Sequence, residues 1–342
     1  MSCTSPRFRI DITQPGVMAQ IPNYLAGKVI NDGIMFGREL YDEYAKFVPL
    51  SKITQLGCGQ CMYCRIKSSR EKSFRCYAES LYHPYNYFVT LTYNDQFLPR
   101  GDFVNIDGEP VESTLCIEDM QKFNKRVRRN LGTMKTYYCG EYGDLFNRPH
   151  YHSLMFCDFE LDDLQFKYSK GGIDYFTSSK LSSCWSDPKT DVERGFVVIS
   201  EFNFTTAAYC TKYILKKQRE NVPLIISSGK PLQQQPFAQA SRNPGLGYLY
   251  FKDHSREIYE SDRVLYQKNY DVYKMKPPKY YDSLFDEIDS AAMQDIKDRR
   301  HFAARISSEN KSLRVSESYF DRLDRENDMS LRKEKRRLMH QI

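Results

Sequence analysis

The 342-residue sequence has no apolar run that approaches the roughly 20 residues a membrane-spanning helix requires. Its first residues, "MSCTSPRFRIDITQPG", contain no apolar stretch after their charges, so we expect no secretory signal. With 41% hydrophobic residues and a mean hydropathy of −0.63, the composition is typical of a protein with a real core and a largely polar surface. We therefore expect a protein of the cytoplasm and no membrane partner.

The pattern G-x-x-x-x-G-K-[ST] is also missing, which excludes a Walker-type helicase motor in this sequence. The 10 cysteines of a cytoplasmic protein are not expected to form a disulfide framework. Four of them are grouped in "CGQCMYCRIKSSREKSFRC": Cys58, Cys61, Cys64 and Cys76. Four thiolates can hold a structural Zn²⁺ ion. The usual C-x-x-C…C-x-x-C pairing is absent, however, and a cysteine-rich turn before a basic helix explains them equally well.

Charge of one sign is not strongly in excess, since the formal net charge is only +6. The positive charge is concentrated in two stretches, "KFNKRVRRN" and "RKEKRR". The 26 tyrosines and 21 phenylalanines offer rings on which unpaired bases can stack, although most of them are expected in the core. These features permit nucleic-acid binding without establishing it.

The hydrophobic pattern predicts strands and helices that do not alternate regularly. Strands rich in β-branched and aromatic residues are predicted at 85–93, 133–143, 150–156 and 195–202. Helices are predicted at 65–82, 117–131, 161–185 with a break at "KGG", and 205–217. An α+β fold with a largely antiparallel sheet flanked by helices agrees best with this order.

Two of the six histidines stand one residue apart in "NRPHYHSLMF". Residues i and i+2 of a strand point to the same face, so His150 and His152 present two imidazoles side by side, with Tyr151 opposite. A hairpin through "YGDLFNRP" places Glu141 beside them. This ligand set suits Mg²⁺ or Mn²⁺ with positions open for substrate oxygens. The alternative is a pair of strand histidines that bond neighbouring carbonyl groups.

A second candidate group lies in the predicted helix "YCTKYILKK". Tyr209 and Tyr213 are four residues apart and project from one helical face. Tyrosine is a weak nucleophile at its ordinary pKa, but it can form a covalent link with a phosphodiester held on a metal. Two tyrosines on a helix also fit an aromatic core stripe. The interleaved Lys212, Lys216 and Lys217 favour a phosphate site, because phosphate requires cations.

Taken in order, "YFVTLTY", "GEYG" with "RPHYHSLMF", and "YCTKYILKK" resemble the motifs of the HUH endonucleases that start rolling-circle replication. The resemblance is closest to the replication initiators of small single-stranded-DNA phages, the microviruses, and among them the gokushoviruses. It covers about residues 57–250 and implies metal ligands at Glu141, His150 and His152 and nucleophiles at Tyr209 and Tyr213. The family has a hydrophobic residue between its histidines, where this sequence has a tyrosine.

The resemblance implies a metal-dependent nickase and strand ligase for single-stranded origin DNA. One tyrosine forms a 5′-phosphotyrosyl link and the second acts at termination, while Lys212 or Lys216 neutralises the phosphate or protonates the leaving oxygen. Host helicase and polymerase are the expected partners, and no small-molecule substrate is expected. Relaxases and single-strand transposases share this chemistry, but the tyrosine of relaxases precedes the histidines. A non-catalytic zinc- and DNA-binding regulator is the alternative of a different class.

The domain organisation expected from these features has four segments. They are an irregular N-terminal arm at 1–56, a nuclease core with a cysteine-rich entry at 57–220, a loop-rich extension at 221–280, and a charged helical tail at 281–342.

Overall fold

The structure is a computed structural model that describes residues 6–11, 17–21, 25, 28–30, 33–49, 53–59, 61–105, 108–143, 146–217, 231–268, 271–312, 321, 324, 325, 328, 329 and 332. The chain forms two compact units, Met1–Ser68 with Arg299–Ile342, and Ser69–Asp298. Among the described residues, no helix has both the length and the apolar character needed to cross a bilayer.

The first unit contains a four-stranded antiparallel sheet in the order β2-β3-β1-β4. Its elements are β1 (Arg7–Asp11), α1 (Val17–Gln20), β2 (Lys28–Ile30), β3 (Gly33–Phe36), α2 (Tyr41–Ala45) and β4 (Ile53–Leu56). Phe8 and Ile10 of β1 alternate with the half-buried Arg9 and pack with Ile34 and Tyr44 in a core. The prediction of an irregular arm at 1–56 is therefore wrong. Strands of three to five residues are too short to show a period in the sequence.

The second unit is built on a seven-stranded sheet in which all neighbours pair antiparallel, in the order β10-β11-β12-β5-β9-β8-β13. Its strands are β5 (Tyr85–Thr92), β8 (Met134–Tyr142), β9 (Pro149–Cys157), β10 (Gln165–Lys170), β11 (Ile173–Thr177), β12 (Val197–Glu201) and β13 (Phe237–Ala240). A separate hairpin joins β6 (Arg100–Val104) to β7 (Pro110–Ser113). The α+β antiparallel fold expected from the sequence is confirmed.

Helices cover both faces of this sheet. The helices of the chain from the unit boundary onward are α3 (Met62–Ser80), α4 (Ile117–Asn130), α5 (Ser179–Cys184), α6 (Phe204–Lys217), α7 (Tyr248–Ser261), α8 (Lys279–Ile288) and α9 (Ser290–Ser312). Val89 and Leu91 of β5 pack on one face with Phe123 of α4 and with Trp185. Phe88 points to the opposite face, where Ala207 and Cys210 of α6 are buried. The functional side chains described below lie on this second face.

The helix predicted at 161–185 is wrong over most of its length. Residues Gln165–Lys170 and Ile173–Thr177 form the β10–β11 hairpin, and only α5 is helical. Gly171 and Gly172 have φ values of 61° and 76°, which a two-residue hairpin turn requires and which glycine adopts without strain. Apolar and polar residues alternate in both strands, which is the strand period.

The segment expected to be loop-rich, 221–280, is more regular than its composition indicates. It contains α7 and a hairpin of β14 (Val264–Lys268) and β15 (Asp271–Met275), while residues 218–230 lie outside the described part of the chain. Within the expected helical tail at 281–342, α8 and α9 reach Ser312.

A buried polar network ties α3 to the sheet. Glu79 is 1% exposed, and its carboxylate lies 3.1 Å from His83 Nε2 and 2.9 Å from Lys135 Nζ and accepts a hydrogen bond from Gly247 N–H. Burial alone raises the pKa of Glu79, but the bonds from His83, Lys135 and Gly247 outweigh it and lower the pKa. The ionised carboxylate is thus the form that the fold stabilises.

We expect Glu79→Gln to lower the free energy of unfolding by on the order of 3 kcal/mol at neutral pH, because it removes one partner of a buried pair. A carboxyl with a lowered pKa stabilises the fold above its unfolded value of 4.5 and loses that contribution as the pH falls through the folded value. Urea unfolding at pH 7 and at pH 3 should therefore show a smaller difference between variant and wild type in acid. An equal difference at both pH values would contradict the assignment.

Candidate active site

The site begins with the hairpin of β8 and β9. Glu141 is directly opposite His150, and Cys139 is directly opposite His152. Opposed residues of antiparallel strands point to one face, so the carboxylate and both imidazoles converge while Tyr151 enters the core on the other face. The hairpin register predicted from the sequence is confirmed.

The three side chains are in direct contact. Glu141 Oε1 lies 2.9 Å from His150 Nε2 and 3.0 Å from His152 Nε2. One ligand atom from each residue falls within 4.8 Å of the others, a spacing at which all three can bind one metal ion. The side chains of Glu141 and His152 are 1% and 8% exposed and that of His150 is 20% exposed, so the cluster opens to solvent at His150.

The outer nitrogens of both imidazoles are also held. His152 Nδ1 lies 3.0 Å from Thr90 Oγ1, and His150 Nδ1 lies 3.2 Å from the carbonyl oxygen of Arg148. A carbonyl can only accept, so His150 carries its proton on Nδ1 and directs the lone pair of Nε2 at the Glu141 carboxylate. Two acceptors 2.9 Å apart require a cation or a proton between them. Outer hydrogen bonds of this kind orient histidine ligands in metal sites.

The charge state of the cluster also suits a cation. Burial disfavours the Glu141 anion, yet hydrogen bonds and charge from the two histidines lower its pKa overall. Burial lowers the pKa of His152, which keeps that imidazole neutral and able to donate a lone pair. Glu141 Oε2 is buried and makes no hydrogen bond to any described residue. A second carboxylate oxygen without a partner is consistent with a metal ligand.

Helix α6 brings the first predicted nucleophile to this cluster. Asn203 caps the helix, since its side-chain oxygen accepts from Thr206 N–H and its own N–H bonds the Thr206 hydroxyl. The Tyr209 ring packs edge-on against His152, with ring centroids 5.5 Å apart, and is 44% exposed. The neighbouring Cys210 is fully buried, so Tyr209 lies at the border between core and solvent.

The other predicted residues of this helix are less fully described. Lys212, Tyr213 and Lys216 belong to α6, but their side chains lie outside the described residues. Helix geometry alone places Tyr213 one turn beyond Tyr209, on the same face and roughly 6 Å further along the axis.

Two residues of this site carry a signal that the sequence interpretation missed. The ring of Phe88 stacks on His152 at 5.4 Å with an interplanar angle of 15°, and Thr90 holds the Nδ1 of the same histidine. Both belong to "YFVTLTY", where alternate residues point to the site. The alternation was visible in the sequence, but the pairing of β5 with β9 was not.

The cysteine cluster is only partly assembled. The sulfurs of Cys58, Cys61 and Cys64 lie within 4.8 Å of one another, and Cys61 N–H donates to Cys58 Sγ at 3.2 Å. Gly59 between them has φ +81°, a left-handed turn conformation. The structure does not bring Cys76 to this group. It follows Cys64 by more than three helical turns and is fully buried in the core of the second unit with Cys139 and Cys210.

The fold and this cluster define an α+β protein with a two-histidine, one-carboxylate metal-binding group beside a tyrosine. Residues 86–218, from β5 to the end of α6, match the family model of the replication-associated protein ORF2. The chain is 31% identical over 270 residues to replication-associated protein ORF2 of Spiroplasma virus 4, which covers 78% of this chain and 79% of the relative. It belongs to this family of replication-associated proteins.

Two further relatives extend the comparison. The chain is 26% identical over 269 residues to replication-associated protein VP4 of Bdellovibrio phage phiMH2K, covering 78% and 77% of the two chains. It is 24% identical over 242 residues to replication-associated protein ORF4 of Chlamydia phage 1, covering 68% and 54%. No solved structure matches the chain significantly. The predicted resemblance to replication proteins of small phages is confirmed.

Proposed function

We propose that this protein starts rolling-circle DNA replication by nicking single-stranded origin DNA through a covalent phosphotyrosyl link, and that it rejoins the strand at termination. The observation that supports the proposal most directly is the Tyr209 ring against His152, whose Nε2 lies 3.0 Å from Glu141. A nucleophile of this type beside a metal-binding group is the arrangement that phosphodiester cleavage requires. The relatives named as replication-associated proteins support the same role.

Glu141, His150 and His152 would hold the divalent cation, which we propose to be Mg²⁺ or Mn²⁺. The oxygen and imidazole donors fit these ions, and the exposed side at His150 leaves room for phosphate oxygens. When bound, the cation would polarise the scissile phosphate and offset charge on the leaving oxygen. The chain's own contribution is to orient the ligands through Thr90 and the Arg148 carbonyl.

In the proposed cleavage, the Tyr209 oxygen bonds to phosphorus and the bond from phosphorus to the 3′ oxygen breaks. The phenolic proton is lost, and the leaving oxygen takes up a proton to become a free 3′-OH. We propose that Lys212 or Lys216 supplies that proton or neutralises the phosphate. The host polymerase then extends the 3′-OH, with a host helicase to separate the strands in the host cytoplasm.

Termination uses the second tyrosine. Tyr213 cleaves the regenerated origin by the same displacement, and the new 3′-OH attacks the first phosphotyrosyl link. That attack restores the Tyr209 phenol and closes a circular strand. Two tyrosines on one helical face allow both cleavages to occur on one enzyme without release of the DNA.

The experiment that tests the proposed function is a nicking assay on single-stranded origin DNA with Mn²⁺ or Mg²⁺, followed by a denaturing gel for covalent adducts. We expect a shortened strand with a free 3′ end and a protein–DNA adduct, both abolished by EDTA. Binding of the same DNA with neither product would instead identify a non-catalytic DNA-binding regulator.

We also propose that Cys58, Cys61 and Cys64 supply three ligands of a structural Zn²⁺ ion. The short Cys61 N–H to Cys58 Sγ contact stabilises a thiolate in the turn, and thiolates favour Zn²⁺. A fourth thiolate within reach in the sequence is Cys3, which itself lies outside the described residues. It precedes Arg7 by four residues, about 13 Å of extended chain, and Arg7 pairs with Leu56, two residues before Cys58.

We expect about one equivalent of zinc in protein purified under reducing conditions. Cys61→Ser should remove the zinc and lower the melting temperature, whereas Cys116→Ser should leave both unchanged, because this half-buried cysteine lies outside the group. Cobalt substitution followed by absorption spectroscopy should distinguish three thiolates from four, with Cys3→Ser as the deciding variant. Wild-type protein without zinc would leave the cysteines as a structural turn.

A further inference from the structure

An exposed aromatic surface begins next to the active site on the same face of the large sheet. Thr92 is directly opposite His150, and Thr92 N–H donates to the carbonyl oxygen of Phe196 at 3.0 Å. This pairing places Phe196 in the row of His150 and Thr92, two strands away, or about 10 Å at the usual strand spacing. The Phe196 ring is 67% exposed. A large ring beside a catalytic cluster has no packing reason to face solvent.

A β-bulge carries this surface onward to the sheet edge. Phe166 is opposite Phe176 and Tyr168 is opposite Tyr175, so β10 has one more residue than β11 between the two pairs. The extra residue, Lys167, sends Phe166 and Tyr168 to opposite faces. Tyr175 is in turn opposite Ser200, which is opposite Phe88 on the active-site face. The bulge therefore turns Tyr168 toward the face that carries the metal-binding group.

Rings and cations share this face, while the acidic side chain of the hairpin does not. Lys167 Nζ lies 4.8 Å from the centroid of the Phe196 ring, and the Tyr168 and Tyr175 rings stack at 4.8 Å. Strand alternation places Lys170 with Tyr168, whereas Asp174 points to the opposite face and accepts a bond from Ser169. Exposed rings between lysines match the faces of unpaired bases and the phosphates that join them.

We propose that this surface binds single-stranded DNA next to the cleaved phosphodiester and guides it to the metal-binding group. We call it the aromatic edge, and its residues are Lys167, Tyr168, Lys170, Tyr175 and Phe196. The occupant is single-stranded because a duplex hides the base faces that these rings would contact. This inference rests on the proposed function for its role in cleavage, but the binding it describes can be measured separately.

Fluorescence anisotropy with labelled oligothymidylate, in EDTA so that no cleavage occurs, tests the aromatic edge. Phe196→Ala and Tyr168→Ala should each weaken binding about tenfold, the usual effect of removing one stacking ring. Phe166→Ala is the matched control, because Phe166 is 61% exposed on the same strand but on the opposite face, and its affinity should be unchanged. Lys167→Gln should lower the slope of log affinity against log salt by about 0.7.

The adduct assay separates this inference from the proposed function. At saturating DNA, Phe196→Ala should form the covalent adduct at the wild-type rate, since the ring binds DNA without touching the reacting atoms. Wild-type adduct formation with equal oligothymidylate affinity in Phe196→Ala, Tyr168→Ala and Phe166→Ala would overturn the aromatic edge alone. Weakened binding in a protein that forms no adduct would support the edge and reject the nickase. A change of oligomeric state on gel filtration of Phe196→Ala would identify a protein interface and overturn DNA binding here.

Discussion

A denaturing gel is expected to show covalent DNA on the wild-type protein and on each of the single variants Tyr209→Phe and Tyr213→Phe, and none on the double variant. If both residues are nucleophiles, either one can supply the first link. Joining requires two successive cleavages on one enzyme, so it should fail in both single variants. Loss of all nucleophiles should reduce adduct formation by several orders of magnitude, on the order of 10⁶-fold in well-studied covalent enzymes.

The geometry of Tyr209 makes this test specific for the hydroxyl group. Its ring already packs against His152 and Phe88, and phenylalanine keeps that packing while it removes the attacking oxygen. Tyr168→Phe is a suitable control, because it removes a hydroxyl from the aromatic edge and should leave cleavage and joining intact. An adduct that persists in the double variant would place the nucleophile on another tyrosine. Complete loss in Tyr209→Phe alone would make Tyr209 the sole nucleophile.

Removal of either histidine from the metal-binding group should abolish nicking. We expect His150→Ala and His152→Ala to cost more than the roughly 100-fold that loss of an outer-shell partner costs in such sites. DNA binding measured in EDTA should remain close to wild type. His150→Ala is the cleaner variant because its side chain is 20% exposed, whereas His152 stacks on Phe88 in the core. The melting temperature of both should therefore be measured alongside the rate.

Two milder variants grade the same site. Glu141→Gln keeps an oxygen at the position of the carboxylate and should weaken metal affinity less than loss of a histidine. Thr90→Val removes only the hydroxyl at His152 Nδ1 and should cost about 10- to 100-fold in metal affinity. A manganese titration of nicking activity measures both. Wild-type cleavage in either histidine variant would remove the cluster from the mechanism, and an unchanged titration of Glu141→Gln would remove Glu141.

Local patterns in the sequence determined much of the candidate site. The H-x-H spacing and the short hairpin fix which residues share a face, so Glu141, His150 and His152 could be grouped from their positions in the chain. The period of α4 and α6 is equally local, because residues three and four apart meet on a helix whatever surrounds it. The strands predicted at 85–93 and 133–143 were correct for the same reason.

Pairing between distant segments was decided only in the tertiary structure. The contact of Tyr209 with His152, the bond from Thr90, and the row that links His150 to Phe196 all join strands and helices far apart in the chain. Cys76 is buried in a core that its spacing from Cys64 did not reveal. The short strands before residue 57 and the β10–β11 hairpin lack a period long enough to read. Their stability comes from partners across the sheet, and a one-dimensional pattern does not contain those partners.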